Sequence, residues 1–476
     1  MKKTICTMIA AVLLAGAMAF SFAGCGNPPE GNLRIAIYNG GYGVEWAYAL
    51  ADKFSKENNG VIVDIKPDNG LLTTLTADLR DKKNTKNVDL YFSHKITWEI
   101  YAAQKLIEPL DDLYEMTVDG EKFEQRVIPE ARETSKYLGN YYKVPWVKGA
   151  GGIVYNVGMF RENNWTPPET YEDLTALCDT IVAANITNPV SGKKVAPFIW
   201  SGEDSWLLDY IVFPWWAQLA GFEKIERFVG FESADVYNPA DGFKELKEAF
   251  TFWYDLFAPG GKHANSVEGS DGTNKFTAQA EFVTGGAAMM ANAHWLFNET
   301  KASIRPDSNF EMAMIPAPTV PGAREGYEKV NFSVGFGDSM ILASNSRNKA
   351  LAKEFLRFMA SEENCLLFSS YVPGTSLAFD YDMKDADVTS VHGANANVFA
   401  QSVAKMHSDY KSFNIYSTSP LSVTLGGEMI APWLENTYFY RDAYQNAGKY
   451  TPAFVFDDIY SRAVSNWDNW KAGAGL

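Results

Sequence analysis

The chain has 476 residues, of which 46% are hydrophobic, a share typical of globular proteins and too high for a disordered one. Its formal net charge is −16 at pH 7. An acidic surface repels nucleic acid, so we expect no nucleic-acid partner. A chain of this length is too long for one hydrophobic core, and at least two domains are expected.

The N-terminus has the pattern of a targeting segment. Lys2 and Lys3 precede an apolar run over residues 8–22, and Ala-Gly-Cys ends the run at Cys25. We therefore predict a signal peptide over 1–24, which is too short to span a membrane comfortably. Ala-Gly-Cys resembles a bacterial lipobox, although Phe22 stands where leucine is usual. This resemblance implies that Cys25 carries lipid, that 25–30 is a tether, and that the protein is anchored on the extracytoplasmic face of the cell membrane. A plain secretory signal is the alternative.

Strand and helix patterns alternate from residue 33 onward. Strands are predicted over 33–38, 61–65 and 88–92, and amphipathic helices follow them. This alternation predicts a parallel sheet with helices on both faces. Ligands of such sheets bind at the carboxyl ends of the strands, which here are the loops 39–43, 67–70 and 93–95. Asn39, Tyr42 and His94 are the candidate ligand contacts in these loops.

The stretch 142–174 reads YKVPWVKGAGGIVYNVGMFRENNWTPPETYEDL and joins two apolar runs through a cluster of glycines. Glycine tolerates unusual backbone conformations and lets other groups approach the chain closely. The pattern predicts a crossing from one globular body into another, and a β-hairpin with a bulge is the alternative. Thr170-x-x-Asp173 then predicts the start of a helix.

A second body follows this crossing. Helices are predicted over 170–184 and along the apolar stripe from Phe243 to Phe257. The run FTAQAEFVTGGAAMMANAHWLFN follows over 276–298. Residues 334–338 are expected to form a return crossing, and a helix over 350–360 brings the chain back to the first body.

Several of these segments resemble one family. VPW followed by glycines, then Tyr155-Asn156 and Pro-Pro-Glu-Thr-Tyr, resembles the first interdomain crossing of the extracellular solute-binding proteins of ABC importers. The segments 88–113, 276–298 and 331–361 are similar to others of this family, especially to carbohydrate binders that resemble maltose-binding protein. The resemblance implies an α/β, two-lobed periplasmic-binding-protein-like (type II) fold, in which each lobe is a mostly parallel sheet flanked by helices. Lobe 1 would comprise 31–145 and 336–376, and lobe 2 would comprise 146–335 and 377–476, with the ligand cleft between them.

The resemblance and the aromatic content together select the remaining candidate ligand residues. Thirteen Trp, 24 Tyr and 30 Phe are present, and an aromatic ring can cover the apolar face of a sugar while amides and carboxylates bind its hydroxyls. Trp206 is a further tryptophan on a predicted cleft loop. The candidates from the family motif, the return crossing and the predicted cleft loops are Trp146, Trp200, Asp204, Asn292, His294, Trp295, Phe336, Asp338 and Trp433.

The implied function is binding rather than catalysis. We expect a monomer that captures a carbohydrate, with an oligosaccharide as the expected ligand, and delivers it to the permease of an ABC importer. No cofactor is expected, and the five histidines show no metal-site spacing. The alternatives are a binding protein for a peptide, a polyamine or an anion, and a secreted carbohydrate-active enzyme. The enzyme stays open because the separation of paired carboxylates is not visible in a sequence.

Overall fold

The computed structural model of the protein describes residues 32–259, 265–334, 338–417, 419–425 and 437–476. Two large β-sheets organise this part of the chain. The strands are β1 Asn32–Ile37, β2 Ile62–Pro67, β3 Leu90–Ser93, β4 Thr117–Val118, β5 Glu121–Lys122, β6 Lys136–Tyr137, β7 Asn140–Tyr141, β8 Val144–Pro145, β9 Val147–Asn156, β10 Ala196–Ile199, β11 Ala287–Ala293, β12 Met312–Ile315, β13 Val330–Val334, β14 Ser339–Leu342, β15 Ser376–Leu377 and β16 Lys411–Phe413.

Helices flank both sheets, as the family resemblance implies. They are α1 Glu45–Glu57, α2 Leu71–Arg80, α3 Trp98–Ala103, α4 Asp111–Tyr114, α5 Phe123–Arg126, α6 Pro129–Glu133, α7 Val157–Asn163, α8 Tyr171–Ala184, α9 Asp209–Ala220, α10 Phe222–Gly230, α11 Lys244–Phe257, α12 Lys275–Val283, α13 Leu296–Thr300, α14 Lys349–Met359, α15 Glu362–Tyr371, α16 Val388–His392, α17 Ala394–Asp409, α18 Pro420–Thr424, α19 Asp442–Gln445 and α20 Pro452–Ala474. In the described part of the chain, none of these helices is both long and apolar enough to cross a membrane.

The first sheet has the strand order β2-β1-β3-β14-β8, and we call the body around it the first lobe. β1 pairs in parallel with β2 and β3, whereas β14 is antiparallel to β3 and β8. The carboxyl ends of β1, β2 and β3 therefore meet at one edge. Leu50 and Phe54 of α1 are buried, and the Phe54 ring packs against Phe355 of α14, so chain segments before and after the second body share one core.

The second sheet is built around β9, and we call the body around it the second lobe. Its order is β10-β11-β9-β13-β16, and β12 and β15 also pair with β9. β9 runs antiparallel to β11, β12, β13 and β15, so this sheet is mixed and not mostly parallel. The two-lobed α/β architecture expected from the resemblance is confirmed.

The chain passes between the sheets at Trp146, which separates β8 from β9. The glycines of the predicted crossing do not form a loop, because Gly149, Gly151 and Gly152 lie inside the continuous strand β9. A Cβ atom at Gly149 would overlap the ring of His294, and one at Gly151 would overlap the ring of Tyr210. The glycines therefore make room for rings from other elements.

The helix predicted at Thr170 has the expected capping box. The Asp173 backbone N–H donates to the Thr170 hydroxyl oxygen at 3.1 Å, and the Thr170 N–H donates to the Asp173 carboxylate at 3.1 Å. Cys178 of the same helix is a buried free thiol. The return between the sheets lies between β13 and β14. Residues 335–337 of that crossing are outside the described residues, as are the signal peptide and the tether.

Candidate functional site

A cavity of about 900 Å³ lies between the lobes. All three loops predicted at the carboxyl ends of β1, β2 and β3 reach it. Its lining consists of Tyr38, Asn39, Gly40, Gly41, Tyr42, Gly43, Glu45, Asn69, His94 and Lys95 from the first lobe, Trp206, Asp209, Tyr210, Phe213, Lys275, Phe276, Trp295, Asn298, Glu299, Lys301, Ile415, Phe439 and Tyr440 from the second, and Trp146 and Asp338 at the crossings.

Three aromatic side chains of the second lobe form what we call the aromatic cage: Trp206, Tyr210 and Trp295. Their ring centroids are 5.9 to 6.2 Å apart, within the usual range for interacting aromatic pairs. Trp206 lies in the turn before α9, Tyr210 in the first turn of α9, and Trp295 caps the start of α13 directly after β11. Both tryptophans are half-buried. The cage thus presents flat apolar surface to the cavity.

Asp338 is the buried carboxylate of the cavity, with 8% of its surface exposed. The Tyr42 hydroxyl donates a hydrogen bond to it at 2.8 Å. Burial raises the pKa of Asp338 to about 6, and the Tyr42 hydrogen bond and the positive charge of Lys143 oppose this rise. Burial, followed by the charge of Asp338, raises the pKa of Tyr42 well above its ordinary value, so Tyr42 remains a neutral donor.

Glu299 is an acid of the second-lobe wall that two neighbouring side chains hold in place. Its carboxylate lies 3.3 Å from the Lys275 ammonium and accepts a hydrogen bond from Gln279 Nε2 at 2.6 Å. In the same lobe, the Tyr440 hydroxyl donates to Asp209 at 2.6 Å. These fixed acids and amides can accept hydrogen bonds from hydroxyl groups of a polar ligand.

The lobes touch each other at two places. Asn298 Nδ2 donates to the backbone oxygen of Gly41 at 2.8 Å. At the second contact, the Tyr416 hydroxyl donates to Glu99 of the first lobe at 3.2 Å. The buried Lys143 ammonium lies 5.1 Å from the centroid of the same Tyr416 ring. The described lobes are therefore joined by direct contacts beside the cavity.

Six of the twelve candidate ligand residues line the cavity: Asn39, Tyr42, His94, Trp146, Trp295 and Asp338. Trp206, the further tryptophan of a predicted cleft loop, lines it too. Trp146 is only 1% exposed, because its ring also packs on Trp46 and Phe92 in the core of the first lobe. Phe336, Trp433 and the lipidation candidate Cys25 lie outside the described residues.

Trp200 and Asp204 are not part of the cavity wall. Trp200 directly follows β10 and is in the core with 2% exposure, and its indole N–H donates to the Ser266 hydroxyl at 3.2 Å. Asp204 accepts the backbone N–H of Lys275 at 2.8 Å and so fixes the start of α12. The structure thus corrects both assignments: Trp200 supports the core, and Asp204 supports a helix that reaches the cavity.

Asn292 and His294 also lie behind the wall and not in it. Both are fully buried, and the Asn292 amide oxygen accepts the Ala293 backbone N–H at 2.8 Å. The His294 ring stacks on Tyr42 with centroids 5.6 Å apart and meets the Trp295 ring edge-on at 4.9 Å. Burial lowers the pKa of His294 to about 3, so the imidazole is neutral. His294 therefore supports two wall residues without facing the cavity.

The sequence analysis missed Tyr210, Lys275, Asn298 and Glu299. A signal existed for the last two, because residues three and four positions after Trp295 share its side of a helix. Tyr210 had no such signal, since it stands in the apolar run DYIVFPWW, which resembles a core helix.

Two α/β lobes that enclose a cavity lined by aromatic rings and hydrogen-bonding groups define the class of two-lobed binding proteins. The model of the bacterial extracellular solute-binding proteins matches residues 40–364, and the chain belongs to this family. Its relatives are binding proteins and not enzymes.

Three relatives illustrate the sequence similarity. The diacetylchitobiose binding protein NgcE of Streptomyces coelicolor is 25% identical over 348 residues, which cover 72% of this chain and 69% of that protein. A multiple sugar-binding protein of Streptococcus mutans is 24% identical over 222 residues, covering 46% and 47% of the two chains. A maltotriose-binding protein of Pyrococcus abyssi is 22% identical over 283 residues, covering 57% and 51%. The chain thus spans about half the length of the last two.

Solved structures share the fold. The bacterial solute receptor AcbH, with an exclusive preference for β-D-galactopyranose, superimposes with a TM-score of 0.59 at 16% identity over 93% of this chain and 98% of its own. RafE from Streptococcus pneumoniae gives a TM-score of 0.62 at 16% identity over 92% and 98%. At this identity the similarity concerns the fold alone.

Proposed function

We propose that the protein captures a carbohydrate in the cavity between its lobes and delivers it to the permease of an ABC importer. The observation that carries the proposal is the aromatic cage beside fixed hydrogen-bonding groups. A sugar ring has an apolar C–H face, which an aromatic ring covers, and a rim of hydroxyls, which carboxylates and amides bind.

The relatives support this ligand class, because diacetylchitobiose, several sugars and maltotriose are the ligands in their names. RafE has been crystallised with raffinose. A cavity of about 900 Å³ is near the upper end of the roughly 300–1,000 Å³ typical of small-molecule sites, which favours an oligosaccharide.

Capture proceeds by closure of the lobes. The cage belongs to the second lobe, whereas Asn39, Tyr42 and His94 belong to the first, so a ligand contacts both groups only when the cavity is closed. A ligand that binds the closed form better shifts the population toward it. The lobe contact from Asn298 to Gly41 forms in the same movement, and the importer would recognise the closed shape.

The remaining parts of the proposal concern location and organisation. Cys25 would carry the lipid that holds the protein at the extracytoplasmic face of the cell membrane, where it acts as a monomer. The lobes would be divided as 31–145 with 336–376 and 146–335 with 377–476. No covalent step is involved. The binding residues would be the six candidates of the wall together with Trp206, Tyr210 and Glu299.

A thermal-shift screen against mono- and oligosaccharides tests the proposal. A ligand present at 100 times its Kd, and bound only by the folded state, stabilises the protein by about 2.7 kcal/mol. Trp295→Ala should weaken binding of the best sugar by about 1–3 kcal/mol, as expected for a central aromatic contact. Stabilisation by a peptide or a polyamine but by no sugar would contradict the proposal.

A further inference from the structure

Phe276 is the most exposed aromatic side chain of the cavity wall, with 63% of its surface accessible. It belongs to none of the hydrophobic clusters formed by the described residues. Isolated exposed apolar residues are common on protein surfaces and need no explanation. Phe276 differs from them because it borders a cavity and stands on a fixed support.

The support is the first turn of α12. The Asn274 side chain accepts the Thr277 backbone N–H at 2.9 Å and so caps the helix. The Lys275 ammonium lies 4.8 Å from the centroid of the Phe276 ring, within cation–π distance. Glu299 holds that ammonium at 3.3 Å. One side of the ring is thus covered by a fixed cation, and the ring is positioned without being buried.

These residues connect the aromatic cage to the exterior. Glu299 lies one helical turn after Trp295, and its backbone N–H donates to the Trp295 carbonyl oxygen at 3.0 Å. Trp295, Glu299, Lys275 and Phe276 therefore follow one another along the second-lobe wall. Glu299 supplies acceptors, Lys275 supplies donors, and Phe276 supplies an apolar face.

The first lobe completes the opening opposite this strip. His94 lines the cavity, and its ring meets Tyr38 edge-on with centroids 4.3 Å apart. Burial, and then the charges of Lys95 and Lys275, lower the pKa of His94, so its imidazole is neutral and can both donate and accept a hydrogen bond. The opening thus combines one exposed ring with groups that bind hydroxyls.

We infer that Phe276 forms an outer sugar subsite, which receives the second or third unit of an oligosaccharide whose first unit lies in the aromatic cage. This inference rests on the proposed carbohydrate function and deepens it. It adds that Phe276 makes the binding affinity depend on the length of the oligosaccharide. A monosaccharide fills the cage without reaching Phe276, whereas a longer chain gains a stacking contact at the opening.

The test measures affinity against chain length by titration calorimetry. The probes are glucose, maltose and maltotriose, and N-acetylglucosamine with its β-1,4-linked dimer and trimer. Phe276→Ala should bind the longest member of the recognised series about tenfold more weakly, because aromatic stacking is worth about one decade in affinity. Its affinity for the shortest bound member, and its melting temperature, should not change. Phe276→Trp should restore the lost affinity.

A matched control separates the subsite from a general effect of removing a surface ring. Phe454, 42% exposed in the first turn of α20, does not line the cavity, so Phe454→Ala should bind every length normally. If Phe276→Ala loses affinity equally for all chain lengths, or loses none for the trimer, the outer subsite is overturned. In either case, sugar binding by the unmodified protein would still support the proposed function. If the unmodified protein binds none of the six sugars, the proposal for these carbohydrates fails and the inference fails with it.

Discussion

Replacing Asp338 with asparagine tests the electrostatics of the cavity. Burial raises the pKa of this carboxyl from the ordinary 3.8 to about 6. An acid with a raised pKa binds its proton more tightly in the folded state. Its contribution to stability is therefore full below about pH 4 and is lost as the pH rises through 6. A shift of about two pKa units corresponds to about 3 kcal/mol.

Asparagine has nearly the same shape and does not ionise, and its amide oxygen can still accept the Tyr42 hydroxyl. We expect the free energy of unfolding of Asp338→Asn, relative to the unmodified protein, to rise by about 2 kcal/mol between pH 4 and pH 7. Denaturant unfolding of the ligand-free proteins at several pH values measures this difference.

A second substitution checks the cause of the effect. Tyr42→Phe removes the hydrogen bond that lowers the pKa of Asp338. The pH at which stability is lost should therefore move upward in this variant. The contradicting result is a difference in free energy of unfolding between Asp338→Asn and the unmodified protein that is equal at pH 4 and pH 7, or that falls as the pH rises. Either outcome would refute the assignment of a buried carboxyl that retains its proton.

Three further predictions concern the anchor, the lobe contact and the strand glycines. Cys25→Ser should abolish lipid attachment, so the protein should leave the membrane fraction or remain unprocessed. Tyr416→Phe removes the hydrogen bond to Glu99 between the lobes, and sugar affinity should fall about tenfold because that bond stabilises only the closed form. Gly149→Ala should lower the free energy of unfolding by about 3 kcal/mol, because its methyl group overlaps the buried His294 ring.

Each of these predictions has a control or a contradicting result. A lipid-anchored mature form of Cys25→Ser would show that the lipobox interpretation is wrong. Tyr460 donates a similar hydrogen bond to Asp235 inside the second lobe, so Tyr460→Phe should leave sugar affinity unchanged. Gly448 has open space around it, and Gly448→Ala should change stability by no more than about 0.5 kcal/mol. If this variant is as unstable as Gly149→Ala, steric overlap is not the cause.

The sequence predicted the first-lobe side of the cavity well, because strand ends follow from periodicity. The loops after β1, β2 and β3 all line the cavity, and Asn39, Tyr42 and His94 are among the lining residues. Parallel strands place their carboxyl ends at one edge, so a strand pattern locates the loops without knowledge of side-chain packing.

The second-lobe side depended on packing and could not be predicted in the same way. Trp200 and Trp206 lie in one short segment, yet the first is in the core and the second is in the aromatic cage. Local composition does not indicate which of the two rings enters the core. His294 was selected for a motif position, but it faces the gap beside Gly149.

The tract of glycines in β9 also constrains how this sequence can diverge. His294 and Tyr210 occupy the space that side chains at Gly149 and Gly151 would fill, so each glycine and its ring form a steric pair. A homologue that carries alanine at either strand position needs a smaller residue opposite it. Changes at these positions should therefore be inherited in pairs. The identity of Tyr210, a member of the aromatic cage, is thus coupled to Gly151, which does not line the cavity.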